Sequence, residues 1–234
     1  MKAEWIKSQT SKIDGLWRRC VFQKVFRPFL NPQDSVFTRC FHYKIMRKGW
    51  EFDECKVRSG VQGQHMRRKG EDCVGDYNDA FSPVPAASGF RTILSLVTQQ
   101  KMFTDHVNIS QAVVQGELLP RDSHNGKLYI SSPPGYDEYP LQVYRLLKPL
   151  YSMPFAASAW HPNMSAFLTK EGCAKVGFEK STCTVTIDGV RNLLGPYIND
   201  FVIACANQQV LDGFRTHLLD TFEGTYEWAL QHFL

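Results

Sequence analysis

No stretch of the sequence approaches the roughly 20 consecutive apolar residues needed to cross a bilayer, so no membrane-spanning helix is expected. The opening residues, Met1-Lys2-Ala3-Glu4-Trp5-Ile6-Lys7, lack the apolar core of a signal peptide. An intracellular location, cytoplasm or nucleus, follows as the expectation, and secretion does not. Cysteine is thinly used: seven residues, an odd number, widely spaced and never as C-x-x-C. That pattern argues for reduced thiols rather than a disulfide framework or a zinc site. Repeats and low-complexity tracts are missing, which removes the solenoid and array classes. Neither sign of charge dominates, with 27 basic against 23 acidic residues and a net charge of +4. A nucleic-acid partner is compatible with that balance but not established by it. What is present is an ordinary globular composition, 43% hydrophobic and 21% charged over 234 residues, enough for one or two domains.

The distribution of charge says more than its sum. Arg18, Arg19, Lys24, Arg27, Lys44, Arg47, Lys48, Lys56, Arg58, Arg67, Arg68 and Lys69 crowd the first third. They interleave with Trp17, Phe22, Phe26, Phe41, Tyr43 and Trp50. Such alternation suits a surface that touches phosphates and bases. It suits a solvated sheet face with its own core aromatics equally well.

Periodicity predicts a helix and then a strand over 1–30, and a β-hairpin over 37–47 and 51–62 turning at Lys48-Gly49. A long polar connection follows to Pro85. Phe90, Ile93, Leu94 and Val97 then mark one helix face, with Ser88 as its expected N-cap. Strands are expected at 102–109, 127–131 and 142–147. A second helix spans about 154–170, with a kink at Pro162 and Gly172 beyond its end. Strands at 174–178, 182–187, 191–194 and 201–206 follow, with Asp188-Gly189 a hairpin turn, and a third helix begins after Asn207. From residue 86 onward the order describes an α+β layer, a mostly antiparallel sheet with helices on one face.

Near the end, the polar pair Asn199-Asp200 breaks a run of strand formers, with Leu193 and Leu194 before it and Phe201 to Ala206 after. A hairpin that lifts acidic side chains to its tip at the end of a sheet is how template-dependent polymerases hold catalytic metals. Asn at a hairpin tip is also ordinary turn chemistry. Five further strings bear on the choice. They are Asp76-Tyr77-Asn78-Asp79-Ala80-Phe81-Ser82-Pro83-Val84, Val107 through Gly116, Ser132-Pro133-Pro134-Gly135-Tyr136, Leu147-Lys148-Pro149-Leu150-Tyr151-Ser152 running to Ala159-Trp160, and Lys56-Val57-Arg58 with Gly63. With Tyr197-Ile198-Asn199-Asp200 they stand in the order, and at about the spacing, of the motifs of Ty1/copia-type retrotransposon reverse transcriptases. Across nearly its whole length the chain resembles that family.

The resemblance implies an RNA-directed DNA polymerase: β-rich fingers over 1–85, palm over 86–119, a fingers–palm junction over 120–153, and the rest of the palm over 154–234. It implies an RNA template, a DNA primer, deoxynucleoside triphosphates and Mg2+ or Mn2+, with no membrane partner. The thumb and RNase H regions are expected to be absent, the chain stopping where the family's primer grip begins. By resemblance the metal-binding positions are Asn108, Asn199 and Asp200, with the backbone of Ile109. Lys56 and Arg58 would hold the triphosphate, and Gln111, Ala112, Val113 and Ser152 would line the nucleotide pocket.

Two of the three family aspartates are therefore asparagine. Nucleotide addition uses two magnesium ions to stabilise the attacking and leaving oxygens, and magnesium prefers anionic oxygen ligands. An amide keeps the shape and loses the charge. Other departures accompany these. Val113 replaces an aromatic residue, Ser152 a glycine, and Ser59-Gly60 an apolar pair whose loss is expected to weaken the fingers strand. Pro196 enters a strand next to the tip, where it removes a ladder donor. The chain is expected to be an inactive copy of a reverse transcriptase. The competing expectations are a non-catalytic nucleic-acid binder derived from a retroelement and a relic with no biochemical role.

Overall fold

In the computed structural model, the described residues are 2–31, 34, 36–48, 50–68, 75–77, 80–83, 86–118, 127–132, 136, 139–176 and 182–226. The chain divides into two compact units, 1–81 with 116–159, and 82–115 with 160–234. The expected turn at Gly49, most of the connection at 69–85, the Pro133–Gly135 string and residues 227–234 lie wholly or largely outside the described residues.

The first unit begins with helix α1 (Lys2–Arg18), whose Ile13 and Leu16 are buried. Strands β1 (Phe22–Phe26), β2 (Val36–Phe37), β6 (Leu128–Ser131) and β7 (Gln142–Leu146) form a four-stranded sheet in the order β1-β7-β6-β2. Strands β3 (Arg39–Lys48) and β4 (Glu51–Val61) form a long antiparallel hairpin, from Arg39 opposite Val61 to Lys48 opposite Glu51. Its far end is exposed on both faces, while Val57, Ser59, Gly60 and Val61 at its base are buried.

That base corrects one expectation. Ser59 does not weaken β4: its Oγ accepts a 2.8 Å hydrogen bond from Nε of Arg39, which is itself buried. Burial holds the Arg39 guanidinium down at about 10, and the ring faces of Phe22 and Phe41, at 4.6 and 5.9 Å, stabilise the cation. Gly60 bridges to Tyr151, where a Cβ would lie 2.8 Å from the Tyr151 carbonyl oxygen. An apolar pair would leave Arg39 Nε without its acceptor and push the Tyr151 backbone away.

The second unit is a six-stranded antiparallel sheet in the order β12-β5-β11-β10-β9-β8. Its strands are β5 (Phe103–Ile109), β8 (Ala174–Lys175), β9 (Cys183–Ile187), β10 (Val190–Tyr197), β11 (Asp200–Cys205) and β12 (Gly224–Tyr226). Its helices are α2 (Ala87–Gln100), α3 (Ala112–Gln115), α4 (Ala156–Lys170, from Trp160 on) and α5 (Gln208–Thr221). Trp160, Met164 and Phe167 of α4 and Leu211, Phe214 and Leu218 of α5 pack with Phe201 and Ile203 of β11. The expectation of helices on one face fails at α2. Its Phe90 and Ile93 pack against Val202, which alternation turns to the opposite face of β11. Phe201 to Cys205 are buried without a break for that reason.

Smaller corrections have local causes. Helix α2 begins at Ala87 after an uncapped Ala86, so Ser88 lies inside it, its carbonyl accepting from Thr92 Oγ1. Helix α4 contains Pro162, as expected, with Trp160 and Met164 buried on either side of it. Asn207 caps α5 as its side-chain oxygen accepts from the backbone of Gln209 and Val210. Asp188 and Gly189 both adopt positive φ, the geometry of a type I′ hairpin turn.

Candidate active site

The hairpin tip is a two-residue turn, Ile198-Asn199, closed by Tyr197 opposite Asp200. Pro196 pairs with Phe201 next to that closing pair. Alternation makes this a position whose N–H would point away from β11. On its other side the pairing of β10 with β9 has already ended at Leu194. The proline therefore removes no donor that β11 needs, and among the described residues none that β9 needs, which corrects the expectation of a damaged ladder.

Ile198 sits at φ +54°, a left-handed conformation that a β-branched residue rarely adopts, at a cost of about 1–3 kcal/mol. Two contacts hold it there. Trp160 Nε1 donates to the Ile198 carbonyl at 2.8 Å. The backbone N–H of Ile109 donates to the Asn199 carbonyl at 2.7 Å. Helix α4 and the end of β5 thus fix the tip from two sides.

Strand β5 pairs with β11 so that Asn108 stands opposite Asp200. Asn108 Nδ2 donates a 2.7 Å hydrogen bond to Asp200 Oδ1. His106, on the same face two residues earlier, reaches the same oxygen through Nε2 at 3.0 Å. His106 is the residue that sequence reading missed. Its signal was available: period-2 alternation puts 106 and 108 on one face of any strand that ends at 109. Asn199 enters the site through its backbone carbonyl.

The charge arrangement is the reverse of an open metal site. A single carboxylate faces an amide turned by its N–H end and an imidazole that makes an ion pair when protonated. Among the described residues, no three His, Cys, Asp or Glu side chains gather to hold a metal ion. Magnesium needs hard, anionic oxygens, and the side chains here offer one carboxylate, already engaged. The donor set does not fit a pair of magnesium ions.

Ala112, Val113 and Val114 are buried after a sharp reversal at Gln111, φ +54°. Gln111 Oε1 is buried without a partner. Gln115 ties this turn down, donating from Nε2 to Ser110 O at 2.7 Å, while its own carbonyl accepts from Asn163. Asp105, also unanticipated, is buried at the outer end of β5 against Arg215 (2.6 Å) and the Tyr226 hydroxyl (3.0 Å).

Lys56, Arg58 and Ser152 belong to the other unit. Lys56 and Arg58 project from one face of β4, both exposed, with Arg58 6.0 Å over the Tyr151 ring. Lys12 of α1 lies over the same ring at 5.8 Å. Burial first, then Arg19, Lys56 and Arg58, lower the Lys12 ammonium to about 8. Ser152 takes φ +67°, the conformation a glycine would adopt freely, and its Oγ reaches His42 Nε2 at 3.3 Å.

Comparison with known proteins bears directly on this hairpin. The chain is 24% identical over 166 residues to the retrovirus-related Pol polyprotein from transposon RE1 of Arabidopsis thaliana, covering 68% of this chain and 11% of that protein. To the corresponding RE2 polyprotein of the same plant it is 28% identical over 99 residues, 42% of this chain and 6% of the relative. To that from transposon TNT 1-94 of Nicotiana tabacum it is 26% identical over 98 residues, 41% of this chain and 7% of the relative. The chain thus spans about a tenth or less of these relatives' length. A profile described as reverse transcriptase (RNA-dependent DNA polymerase) matches residues 35–234, which takes in both strands of the paired Asn108–Asp200 site and the tip between them. With the match covering most of its length, the chain belongs to the reverse transcriptase family and is of the copia type.

Proposed function

We propose that this chain is the fingers and palm of a retrotransposon reverse transcriptase that no longer catalyses nucleotide addition as it stands. The palm would comprise 86–119 and 154–234, the fingers and their junction 1–85 and 120–153. One observation carries the reading: Asp200 Oδ1 already accepts from Asn108 and His106. In-line attack of a primer 3′-hydroxyl on an α-phosphate needs negative ligands to gather two divalent ions. Here the chain's own side chains already occupy an oxygen of the one carboxylate left. The three side chains would hold each other in place without polarising a hydroxyl.

The test is primer extension on an RNA template with Mg2+ or Mn2+, run on the chain fused to thumb and primer-grip segments from an intact relative. The unaltered fusion should be silent, and Asn108→Asp with Asn199→Asp should restore incorporation. Incorporation by the unaltered fusion would overturn the reading.

A second reading, retained nucleic-acid binding without chemistry, is favoured by the cations around Tyr151. Burial depresses the Lys12 ammonium first, and the nearby Arg19, Lys56 and Arg58 depress it further. RNA or DNA affinity that falls steeply with salt would support it.

A further inference from the structure

We propose that Cys173 and Cys183 form a reversible disulfide, a modification site separate from the hairpin. The geometry begins at the end of α4. Gly172 takes φ +75°, its N–H bonds to Thr169 O at 3.0 Å, and the Cys173 N–H bonds to Leu168 O at 2.9 Å. This C-cap fixes Cys173 immediately before β8. Strand β8 pairs with β9 through Ala174 opposite Thr184 and Lys175 opposite Cys183. Cys173 directly precedes that ladder, two positions before the Lys175 that faces Cys183. The two thiols are in hydrogen-bond contact, Cys173 as donor.

Access and reactivity agree with that placement. Both residues line a cavity of about 60 Å³ shared with His161, Met164, Lys175 and Pro196, room for small polar molecules. Cys173 is half-buried and Cys183 buried. The hydrogen bond from Cys173, helped by the Lys175 ammonium, draws the Cys183 thiol down toward the thiolate, against its burial. The same bond and burial hold Cys173 as the thiol. No other described cysteine lines the cavity.

With hydrogen peroxide as the oxidant, the Cys183 thiolate attacks one peroxide oxygen and the O–O bond breaks. Cys183 becomes a sulfenic acid, and the departing hydroxide takes up a proton as water. The Cys173 sulfur then displaces the sulfenic oxygen, which leaves as a second water, and the S–S bond forms. Two thiols lose two electrons and two protons, and one peroxide becomes two waters. The bond would staple the end of α4 to the start of β9, at the edge of the six-stranded sheet.

The experiment uses the whole chain titrated with hydrogen peroxide, its remaining thiols blocked with N-ethylmaleimide, followed by intact mass and peptide mapping. The expected first product is a Cys173–Cys183 cross-link, about 2 Da lighter before blocking and reversed by reductant. Its thermal midpoint should rise by roughly 5 °C. In Cys173→Ser, the Cys183 sulfenic acid should persist and be captured by dimedone. The proposal is overturned if Cys20 or Cys40 oxidises before this pair in the unaltered chain, or if cross-links first join other cysteines. Absence of a dimedone adduct at Cys183 in a folded Cys173→Ser variant would also overturn it.

Discussion

The β10–β11 tip and the base of the β3–β4 hairpin are both places where departures were expected from the motifs the sequence resembles, and they differ physically. At the tip, strand register, strained turn and backbone bonds bring Asn108 and Asp200 face to face, an amide against a single carboxylate. At the hairpin base, Ser59 and Gly60 fit where they stand: one accepts from Nε of the buried Arg39, the other admits the Tyr151 carbonyl. A substitution that alters charge at a metal site leaves the fold untouched. One that alters volume inside a packed base persists only if its neighbours accept it. The contrast argues against uniform decay of the chain.

The largest expected effect would sharpen the comparison at the tip. Restoring aspartate at both 108 and 199 should raise primer extension in the thumb-fused chain at least about 100-fold, since tenfold in rate requires only about 1.4 kcal/mol. The thermal midpoint should fall slightly, because the carboxylate introduced at position 108 would face that of Asp200 without metal. Equal rates for the two chains would show that the lost carboxylates are not the defect.

Breaking the other side needs only one methyl group. A Cβ on Gly63 would overlap the Ser152 carbonyl, so Gly63→Ala should cost about 3 kcal/mol and lower the melting temperature by roughly 6–12 °C. A shift under about 2 °C would mean that this packing is loose.

A smaller loss is expected from Ser59→Ala, which leaves the Arg39 Nε–H buried without its acceptor: about 1–2 kcal/mol in denaturant unfolding. If the variant is as stable as the original chain, Ser59 is a tolerated change and not a compensated one.

The mildest test concerns Lys12. Its ammonium is depressed from 10.5 to about 8 in the folded chain, so keeping the proton disfavours the folded state below about pH 8. The penalty is relieved as pH rises from about 8 toward 10.5, where the unfolded chain holds more protons than the folded one. Lys12→Met should therefore be the more stable chain at about pH 7, and the difference between the two should shrink across that window. Melting curves at several pH values check it, and a difference that does not vary with pH would remove Lys12 from the cation cluster.

Most of the helices and strands, though not β2, α3 or β12, were legible in the sequence, as were the hairpin at 198–199 and the family, because these rest on local periodicity, turn chemistry and motif order. Asp188-Gly189 and Asn207 were legible for the same reason: each turn or cap is completed within a few residues. Only the tertiary structure decided that Asp200 meets Asn108 and His106, more than 90 positions away, since register is set by pairing between distant strands. It also decided that α2 covers the opposite sheet face, that Pro196 lies where β11 needs no donor, and that Ser59 and Gly60 are accommodated. Those outcomes depend on what a residue touches across the fold. Neighbours in sequence carry little of that information, because burial and hydrogen-bond satisfaction are properties of the packed chain.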